Sequence, residues 1–108
     1  MIWNRYDPLS PALLRVLKYV NDICSRAGVP CSVCGEMAGR PLEAVTLVGL
    51  GFRSLSMNPA AMGAVKAAIR TLNQGDLANY LDRQLSASAD SLRDKVRLYA
   101  ADHDIFIE

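Results

Sequence analysis

The chain has little net charge and no long apolar run. Its 12 lysines and arginines nearly balance its 11 aspartates and glutamates, which leaves a formal net charge of +1. Such a balance provides no basic field for gripping a phosphate backbone, so we expect no binding to nucleic acid. No apolar stretch reaches the roughly 18 residues that span a bilayer, and the N-terminus has no secretory pattern. We therefore expect a cytoplasmic protein that does not bind membranes.

Cysteine and histidine are also scarce. The three cysteines, Cys24, Cys31 and Cys34, are too few and odd in number for a disulfide scaffold, which fits a reducing compartment. Cys31 and Cys34 have C-x-x-C spacing, and Cys24 with His103 would complete a tetrahedral zinc set. Residues three apart in a strand point to opposite faces, however, whereas redox and zinc motifs need a helix N-terminus or a tight turn. We therefore predict no metal site in this chain.

A length of 108 residues, 51% of them hydrophobic, suits one globular domain or a piece of one.

The first regular element predicted is a helix. Ser10 and Pro11 are typical of a helix start and Gly28 of a helix end. Apolar residues between them recur at helical spacing and predict a buried face that consists of Leu13, Leu14, Leu17, Val20, Ile23 and Cys24.

Short apolar runs alternate with helical patterns after this helix. The order is a strand over residues 29–34, a helix over 42–48, a strand over 53–57 and a helix over 60–72. The first strand is bounded by glycines and has the form of a strand covered on both faces. Gly49 or Gly51 is predicted to end the middle helix, and Asn58 with Pro59 to begin the next. The alternation predicts an α/β protein with parallel strands.

The last third of the chain has a purely helical pattern. Apolar residues at helical spacing predict two amphipathic helices, the first marked by Leu77, Leu81 and Leu85 and the second by Leu92, Val96 and Tyr99. Ser88 or Asp90 is predicted to cap the second helix. Its charged residues are interpreted as a solvated face.

Cys34 is the candidate catalytic residue because it ends the first predicted strand. In α/β barrels the side chains at the carboxyl ends of the strands meet at the active-site mouth, where a thiol can act as a general acid or base. Gly35 would let the backbone approach a ligand closely, Glu36 would orient the thiol, and Arg40 would bind an anion. The alternatives stay open, since a cysteine in an apolar strand is often core and an arginine is often solvated.

Two segments are distinctive enough to indicate a family. Residues 34–42 read CGEMAGRPL, residues 49–61 read GLGFRSLSMNPAA, and ahead of them residues 6–11 read YDPLSP. Together they resemble the C-terminal part of the phosphoenolpyruvate-binding barrel domain of Enzyme I of the phosphotransferase system, the nitrogen-related form most closely. The resemblance implies an α/β fold, namely a C-terminal fragment of a (β/α)8 TIM barrel with its last two strands and their helices, followed by C-terminal amphipathic helices.

The resemblance also implies chemistry and partners. In this family an enzyme histidine takes the phosphoryl group of phosphoenolpyruvate and passes it to a phosphocarrier protein, and the cysteine matching Cys34 protonates the pyruvate enolate. The ligands of Mg²⁺ lie upstream of these segments in the family, so no cofactor is expected to bind this chain. The family barrel also mediates dimerisation, which implies a homo-oligomer. Cys31 matches no catalytic position and is interpreted as a core residue.

The length sets the expected domain organisation. A barrel of this type needs about 250 residues, so residues 1–108 are interpreted as a partial phosphoenolpyruvate-utilising barrel domain. Residues 6–72 would hold strands seven and eight with their flanking helices, and residues 75–108 the C-terminal helices. We expect this portion to be inactive by itself. The alternative is an autonomous protein-interaction or oligomerisation module without catalysis.

Overall fold

A long helix opens the described part of the chain. The computed structural model describes residues 7–34, 36–87 and 90–107. Helix α1 spans Pro11–Ala27, and the Ser10 hydroxyl caps it by accepting the N–H of Leu13 at 3.4 Å. Gly28 ends the helix with a φ of 70°, a left-handed conformation that costs glycine little. The predicted start and end of this helix are confirmed.

The predicted buried face of α1 is wrong in its second half. Leu14 is fully buried, but Val20 and Ile23 are 43% and 42% exposed. Val16 and Tyr19, one helical turn before them, are exposed as well, so an apolar stripe on α1 points to solvent. The spacing identified an apolar face correctly, but spacing carries no information about which neighbour covers it.

Two short strands form a parallel sheet. β1 spans Ser32–Cys34 and β2 spans Ser54–Ser56, and Val33 lies opposite Leu55 in the register. Val33 and Leu55 are half-buried, whereas the other face of the sheet carries the exposed residues Ser32, Cys34, Ser54 and Ser56. The strand order is confirmed, but the prediction that the first strand is covered on both faces is wrong, because the alternate side chains reach solvent in this chain.

The helix between the two strands lies at the centre of the molecule. A single 3-10 turn, Met37–Gly39, leads into α2, which spans Pro41–Leu50 and ends at Gly51. The remaining helices are α3 (Pro59–Arg70), α4 (Gln74–Ala87) and α5 (Arg93–Asp102). All three contact α2, as does α1. This explains why α2 is buried nearly all round and shows no single apolar face.

The two C-terminal helices complete the same core. The six apolar residues that predicted them, Leu77, Leu81, Leu85, Leu92, Val96 and Tyr99, are all buried. The N–H of Leu92 donates to the carbonyl oxygen of Leu9 at 2.9 Å, and the Arg15 guanidinium donates to the carbonyl oxygen of Leu85 at 2.8 Å. These bonds join the beginning and the end of the chain, so the C-terminal helices are part of the domain that holds the sheet.

The start of α5 differs from the sequence prediction. The helix begins at Arg93, so a cap at Asp90 is wrong, and the alternative cap, Ser88, lies outside the described residues. The Ser91 hydroxyl accepts the N–H of Arg93 at 3.2 Å and supplies the local side-chain bond.

The architecture is a helix-rich α/β domain with a two-stranded parallel sheet. The predicted α/β class and the parallel pairing of the two strands are confirmed, and the barrel stays a prediction. None of the helices in the described ranges has both the length and the apolar character that a membrane span needs.

Candidate functional site

The two strands end side by side at one edge of the sheet. Cys34 pairs with Ser56 in the parallel register, and each is the last residue of its strand. Because the strands are parallel, both carboxyl ends lie at the same edge, which is where α/β proteins commonly bind ligands. Both side chains are exposed. The edge therefore presents a thiol and a hydroxyl next to each other.

An open cavity of about 460 Å³ lies at this edge. Its lining comprises Cys34, Glu36, Gly39, Arg40, Ser56, Met57, Asn58 and Ala61. The structure thus brings the candidates Cys34, Glu36 and Arg40 to one cavity, while the candidate Gly35 lies outside the described residues. The chemical roles assigned to these residues stay predictions.

Arg40 is held by two carboxylates on either side of it in sequence. Its guanidinium lies 3.3 Å from the Glu36 carboxylate and 3.5 Å from that of Glu43. The Glu36 side chain is 87% exposed, whereas that of Glu43 is 3% exposed. An anion entering the cavity would have to compete with both carboxylates for Arg40. It would displace Glu36 more easily than Glu43, because water can solvate the exposed Glu36 carboxylate once its contact with Arg40 is lost. Arg40 is therefore already paired with carboxylates in this structure, and its role as an anion ligand stays a prediction.

Glu43 connects the cavity to the far ends of the chain. Besides Arg40 it contacts Arg93 at 3.6 Å, and Arg93 contacts Asp7 at 3.1 Å. Burial lowers the pKa of Arg93, but the hydrogen bond with Asp7 and the charge of Glu43 raise it more, so the guanidinium stays charged. A buried carboxylate in a helix needs such partners because isolated burial of its charge is very costly.

The sequence reasoning did not single out Glu43. The available signal was a carboxylate inside an otherwise apolar helical run, residues 41–50, where the other nine residues are uncharged. A charge in a fully buried helix requires an opposite charge from elsewhere. The partner is Arg93, 50 positions along the chain, and no local pattern identifies it.

Helix α3 begins at the rim of the same cavity. Pro59 is its first residue, and the Asn58 side chain caps it by accepting the N–H of Ala60 at 2.9 Å. The predicted Asn-Pro start is confirmed. Since Asn58 and Ala61 both line the cavity, the positive end of the α3 dipole faces the space beside Cys34.

The other two cysteines and the histidine lie away from this cavity. Burial raises the pKa of the Cys31 thiol, and the neighbouring Cys24 raises it further. The His103 ring stacks on Tyr99 with the ring centroids 3.9 Å apart. Among the residues that the structure describes, no three histidines, cysteines or carboxylates lie together so as to hold a metal ion. Cys24, Cys31 and His103 are therefore not gathered into a ligand set for Mg²⁺ or Zn²⁺.

The fold and the strand-edge thiol define a small α/β unit with a cavity at the carboxyl ends of parallel strands. Over residues 1–74 the sequence matches the family model for the PEP-binding domain of PEP-utilising enzymes, where PEP is phosphoenolpyruvate. Since this match covers more than half of the chain, the chain belongs to that family. The resemblance inferred from residues 34–42 and 49–61 is thereby confirmed.

Curated relatives extend the similarity into the C-terminal helices. The chain is 36% identical over 97 residues to the phosphoenolpyruvate-dependent phosphotransferase system protein of Escherichia coli, a match that covers 89% of the chain. It is 42% identical over 82 residues, 76% of the chain, to the phosphoenolpyruvate-protein phosphotransferase of Cupriavidus necator. It is also 39% identical over 64 residues, 59% of the chain, to the phosphoenolpyruvate synthase of Pyrococcus furiosus.

The matched region is a small part of each relative. It spans 13% of the Escherichia coli protein, 14% of the Cupriavidus necator protein and 8% of the Pyrococcus furiosus protein. The similarity therefore concerns one segment of much larger enzymes. Any activity of the whole enzyme has to be carried over to this chain as a proposal.

Proposed function

We propose that this chain is the portion of a phosphoenolpyruvate-protein phosphotransferase that supplies the proton donor, Cys34, at the mouth of a (β/α)8 barrel. The observation that carries the proposal is the position of Cys34 at the carboxyl end of a parallel strand, exposed and facing a cavity. β1 and β2 would be the seventh and eighth barrel strands. Val33 and Leu55 pack toward the core, so the face bearing Cys34 and Ser56 is the one a barrel would turn inward.

The proton transfer balances with one thiol. Departure of the phosphoryl group to a histidine elsewhere in the enzyme leaves the enolate of pyruvate. The S–H bond of Cys34 then breaks, a C–H bond forms at C3, and the enolate electrons form the ketone, leaving a thiolate that solvent reprotonates. In reverse, the thiolate removes a methyl proton from pyruvate. A positioned acid of this kind contributes about 10²–10⁴-fold to the rate.

In this proposal Glu36 and Arg40 lie beside Cys34 at the opening of the barrel. Their ion pair lies at the cavity that Cys34 lines, and the buried Glu43 anchors Arg40 from the other side. Glu36 thereby supports the thiol indirectly, and Arg40 meets a substrate anion after Glu36 is displaced. Binding of Mg²⁺, which neutralises phosphate charge in phosphoryl transfer, and contact with the phosphocarrier protein are assigned to parts of the enzyme outside this chain.

Exchange of the pyruvate methyl protons tests the role of Cys34. In the full-length enzyme in D₂O, we expect Cys34→Ser to slow deuterium incorporation into pyruvate by about 100-fold or more, with substrate affinity largely retained. Cys31→Ser is the matched control, since it removes the same group three positions away, off the cavity. If Cys34→Ser exchanged the methyl protons at the wild-type rate, Cys34 would not be the proton donor.

The chain alone is proposed to be inactive. Proton donation follows phosphoryl transfer, and the described residues provide no group of metal ligands to hold the phosphate. We expect no pyruvate release when the purified chain is incubated with phosphoenolpyruvate and Mg²⁺. Measurable release would contradict this part of the proposal.

A second candidate function, self-association, is favoured by the exposed stripe on α1. Val16 and Tyr19 are 57% and 64% exposed, and Val20 and Ile23 continue the same stripe. A contiguous apolar patch of this kind is typical of a protein interface. On this proposal two copies pair through α1 in a homo-oligomer, whether or not the chain carries out catalysis.

Sedimentation velocity tests the association. We expect Tyr19→Lys to shift the protein toward the monomer, because it places a charge in the centre of the stripe. Ser25→Lys adds the same charge at an exposed site later in α1 and is expected to leave the oligomer intact. A wild-type protein that is monomeric at all concentrations measured would rule out this function.

A further inference from the structure

The charge of the Cys34 cavity depends on one arginine and its carboxylate partners. Among the described residues that line the cavity, Arg40 is the sole cation and Glu36 the sole anion. The Arg40 guanidinium also pairs with Glu43, 3.5 Å from Oε2 of that carboxylate. How strongly Arg40 attracts an anion into the cavity therefore depends on how much of the Glu43 charge it receives.

The second oxygen of the Glu43 carboxylate pairs with another arginine. Oε1 of Glu43 lies 3.6 Å from Nη1 of Arg93, the first residue of α5. The Glu43 side chain is 3% exposed, so its charge is balanced by protein groups and hardly by water. Two guanidinium groups thus share one buried carboxylate, one at the cavity and one at the start of the last helix.

Arg93 is held in place from its other side by Asp7. Nη2 of Arg93 lies 3.1 Å from Oδ1 of Asp7. The Asp7 carboxylate also accepts the N–H of Leu9 at 2.9 Å and the hydroxyl of Ser91. The Arg93 guanidinium is therefore fixed between two carboxylates, which reduces the side-chain freedom that makes most surface ion pairs weak.

We propose that Arg93 is a positioning residue for the Cys34 cavity: by pairing with Glu43 it leaves Arg40 less neutralised and able to bind the carboxylate of a small anionic substrate. The inference rests on the proposed function for the nature of that anion. Arg93 itself does not line the cavity. It also lies outside residues 1–74, the part that matches the family model, so the C-terminal helices set the affinity of a site that the matched part contains.

Alkylation of Cys34 by two small reagents measures the charge of the cavity. Cys24→Ser and Cys31→Ser together leave Cys34 as the only cysteine of the purified chain. Iodoacetate is anionic and iodoacetamide is neutral, and both react with the same thiolate. The ratio of their rate constants therefore reports the electrostatic field at the thiol and not its degree of ionisation.

Removal of the Arg93 charge should make the cavity less attractive to an anion. In Arg93→Gln the whole charge of Glu43 acts on Arg40, because the other partner of the carboxylate is lost. We expect the ratio of the iodoacetate to the iodoacetamide rate constant to fall roughly two- to five-fold, the range that partly solvated ion pairs support. An unchanged ratio would overturn the proposal.

Two controls show whether Arg93 acts through Arg40. Arg97→Gln removes the same charge from the same helix, but Arg97 pairs with the exposed Asp94 at 3.4 Å, so the ratio should stay at the wild-type value. In Arg40→Gln the further change Arg93→Gln should have little effect, because the group it acts through is already absent. An equal fall in Arg97→Gln, or a full further fall in the Arg40→Gln background, would mean that Arg93 acts only by its long-range charge and would overturn the proposal.

Asp7→Asn keeps the test decisive if Arg93→Gln destabilises the fold. Loss of the Asp7 charge lets Arg93 pair with Glu43 alone, so the ratio should rise. Unfolding would instead move both variants toward the ratio measured for the chain in urea. Opposite changes in Arg93→Gln and Asp7→Asn support the proposal, whereas changes in the same direction, or none in Asp7→Asn, contradict it.

Steady-state kinetics of the full-length enzyme separate this inference from the proposed function. Arg93→Gln should raise the KM for phosphoenolpyruvate by the same factor of roughly two to five and leave kcat near the wild-type value, as expected when substrate binding alone is weakened. A fall in kcat with unchanged KM would overturn the role of Arg93. The role of Cys34 as proton donor is tested independently by deuterium exchange in Cys34→Ser, and neither result determines the other.

Discussion

Cys34 and Ser56 lie opposite each other as the last paired residues of two parallel strands. They are far apart in sequence, and α2, which connects the two strands, is almost completely buried. Packing of α2 against four other helices therefore fixes the spacing between the strand ends. The arrangement of the cavity depends on that packing as much as on the residues that line it.

The reactivity of the cysteines should differ with their surroundings. Cys34 is exposed, whereas the pKa of Cys31 lies above the ordinary 9.0 because of burial and of Cys24 nearby. We expect iodoacetamide to alkylate Cys34 several-fold faster than Cys31 at neutral pH, with the lag of Cys31 shrinking as the pH rises, since the thiolate is the nucleophile. Fragmentation of the peptide of residues 27–53 distinguishes the two sites. Equal rates at neutral pH would contradict the prediction.

Replacing the buried carboxylate should destabilise the chain. Glu43→Gln leaves Arg40 and Arg93 without a shared charge partner in a site where the Glu43 side chain is 3% exposed. We expect the free energy of unfolding, measured in urea, to fall by about 1–3 kcal/mol. This fall is smaller than for a fully buried ion pair because both arginines reach solvent. Glu36→Gln is the control, with an expected change below about 0.5 kcal/mol because its side chain is 87% exposed. If the two variants lost the same free energy of unfolding, the buried Glu43 would contribute no more to stability than the exposed Glu36.

Asp7 should make stability depend on pH. Burial raises its pKa, but hydrogen bonds from Ser91, Leu9 and Arg93 lower it more, so the net pKa is below the ordinary 3.8. A carboxyl with a lowered pKa in the folded state stabilises the fold above its ordinary pKa, and this contribution is lost as the pH falls through the folded-state value. We expect Asp7→Asn to cost about 1–2 kcal/mol at neutral pH.

Urea unfolding at two pH values tests this prediction. The difference between wild type and Asp7→Asn should be largest at neutral pH and should shrink as the pH falls below 3.8 toward the lowered pKa of the folded state. The exposed Asp82→Asn serves as the control for loss of one carboxylate. A cost of Asp7→Asn that is the same at both pH values would show that its hydrogen bonds do not depend on the charge.

Local signals predicted the helices well and the surfaces poorly. The Ser10-Pro11 and Asn58-Pro59 starts are both confirmed, because capping is decided by a few neighbouring residues. The exposure of Val20 on α1 was not predicted, since periodicity reports that a face is apolar but not whether it is covered.

In the candidate site, too, local sequence patterns predicted the position of a residue but not its long-range contacts. The position of Cys34 at a strand end followed from the alternation of helices and strands, because parallel strands share one carboxyl edge. The ion pairs of Glu43 with Arg93 and of Arg93 with Asp7 did not follow, because their partners are 50 and 86 positions apart in the sequence. A single sequence contains no local pattern that identifies such long-range partners.

The contact of α2 with α4 should tolerate no added methyl group. A Cβ at Gly49 would lie 2.6 Å from Cδ1 of Leu81 and 2.8 Å from Cγ of Leu77, both in the core. Gly49→Ala therefore forces these leucines or the helices apart, at about 1–3 kcal/mol, against a gain of about 1 kcal/mol in helix propensity. We expect a net loss of up to about 2 kcal/mol in the free energy of unfolding.

Gly63→Ala is the matched control for this change. It lies within helix α3, and a Cβ there would meet no heavy atom within 4 Å. The same substitution should therefore raise stability by about 0.5–1 kcal/mol, since alanine loses less backbone entropy on folding than glycine. Opposite signs for the two variants in urea unfolding would locate the effect in the α2–α4 contact. A stabilising Gly49→Ala would mean that α4 packs less closely on α2 than these distances indicate.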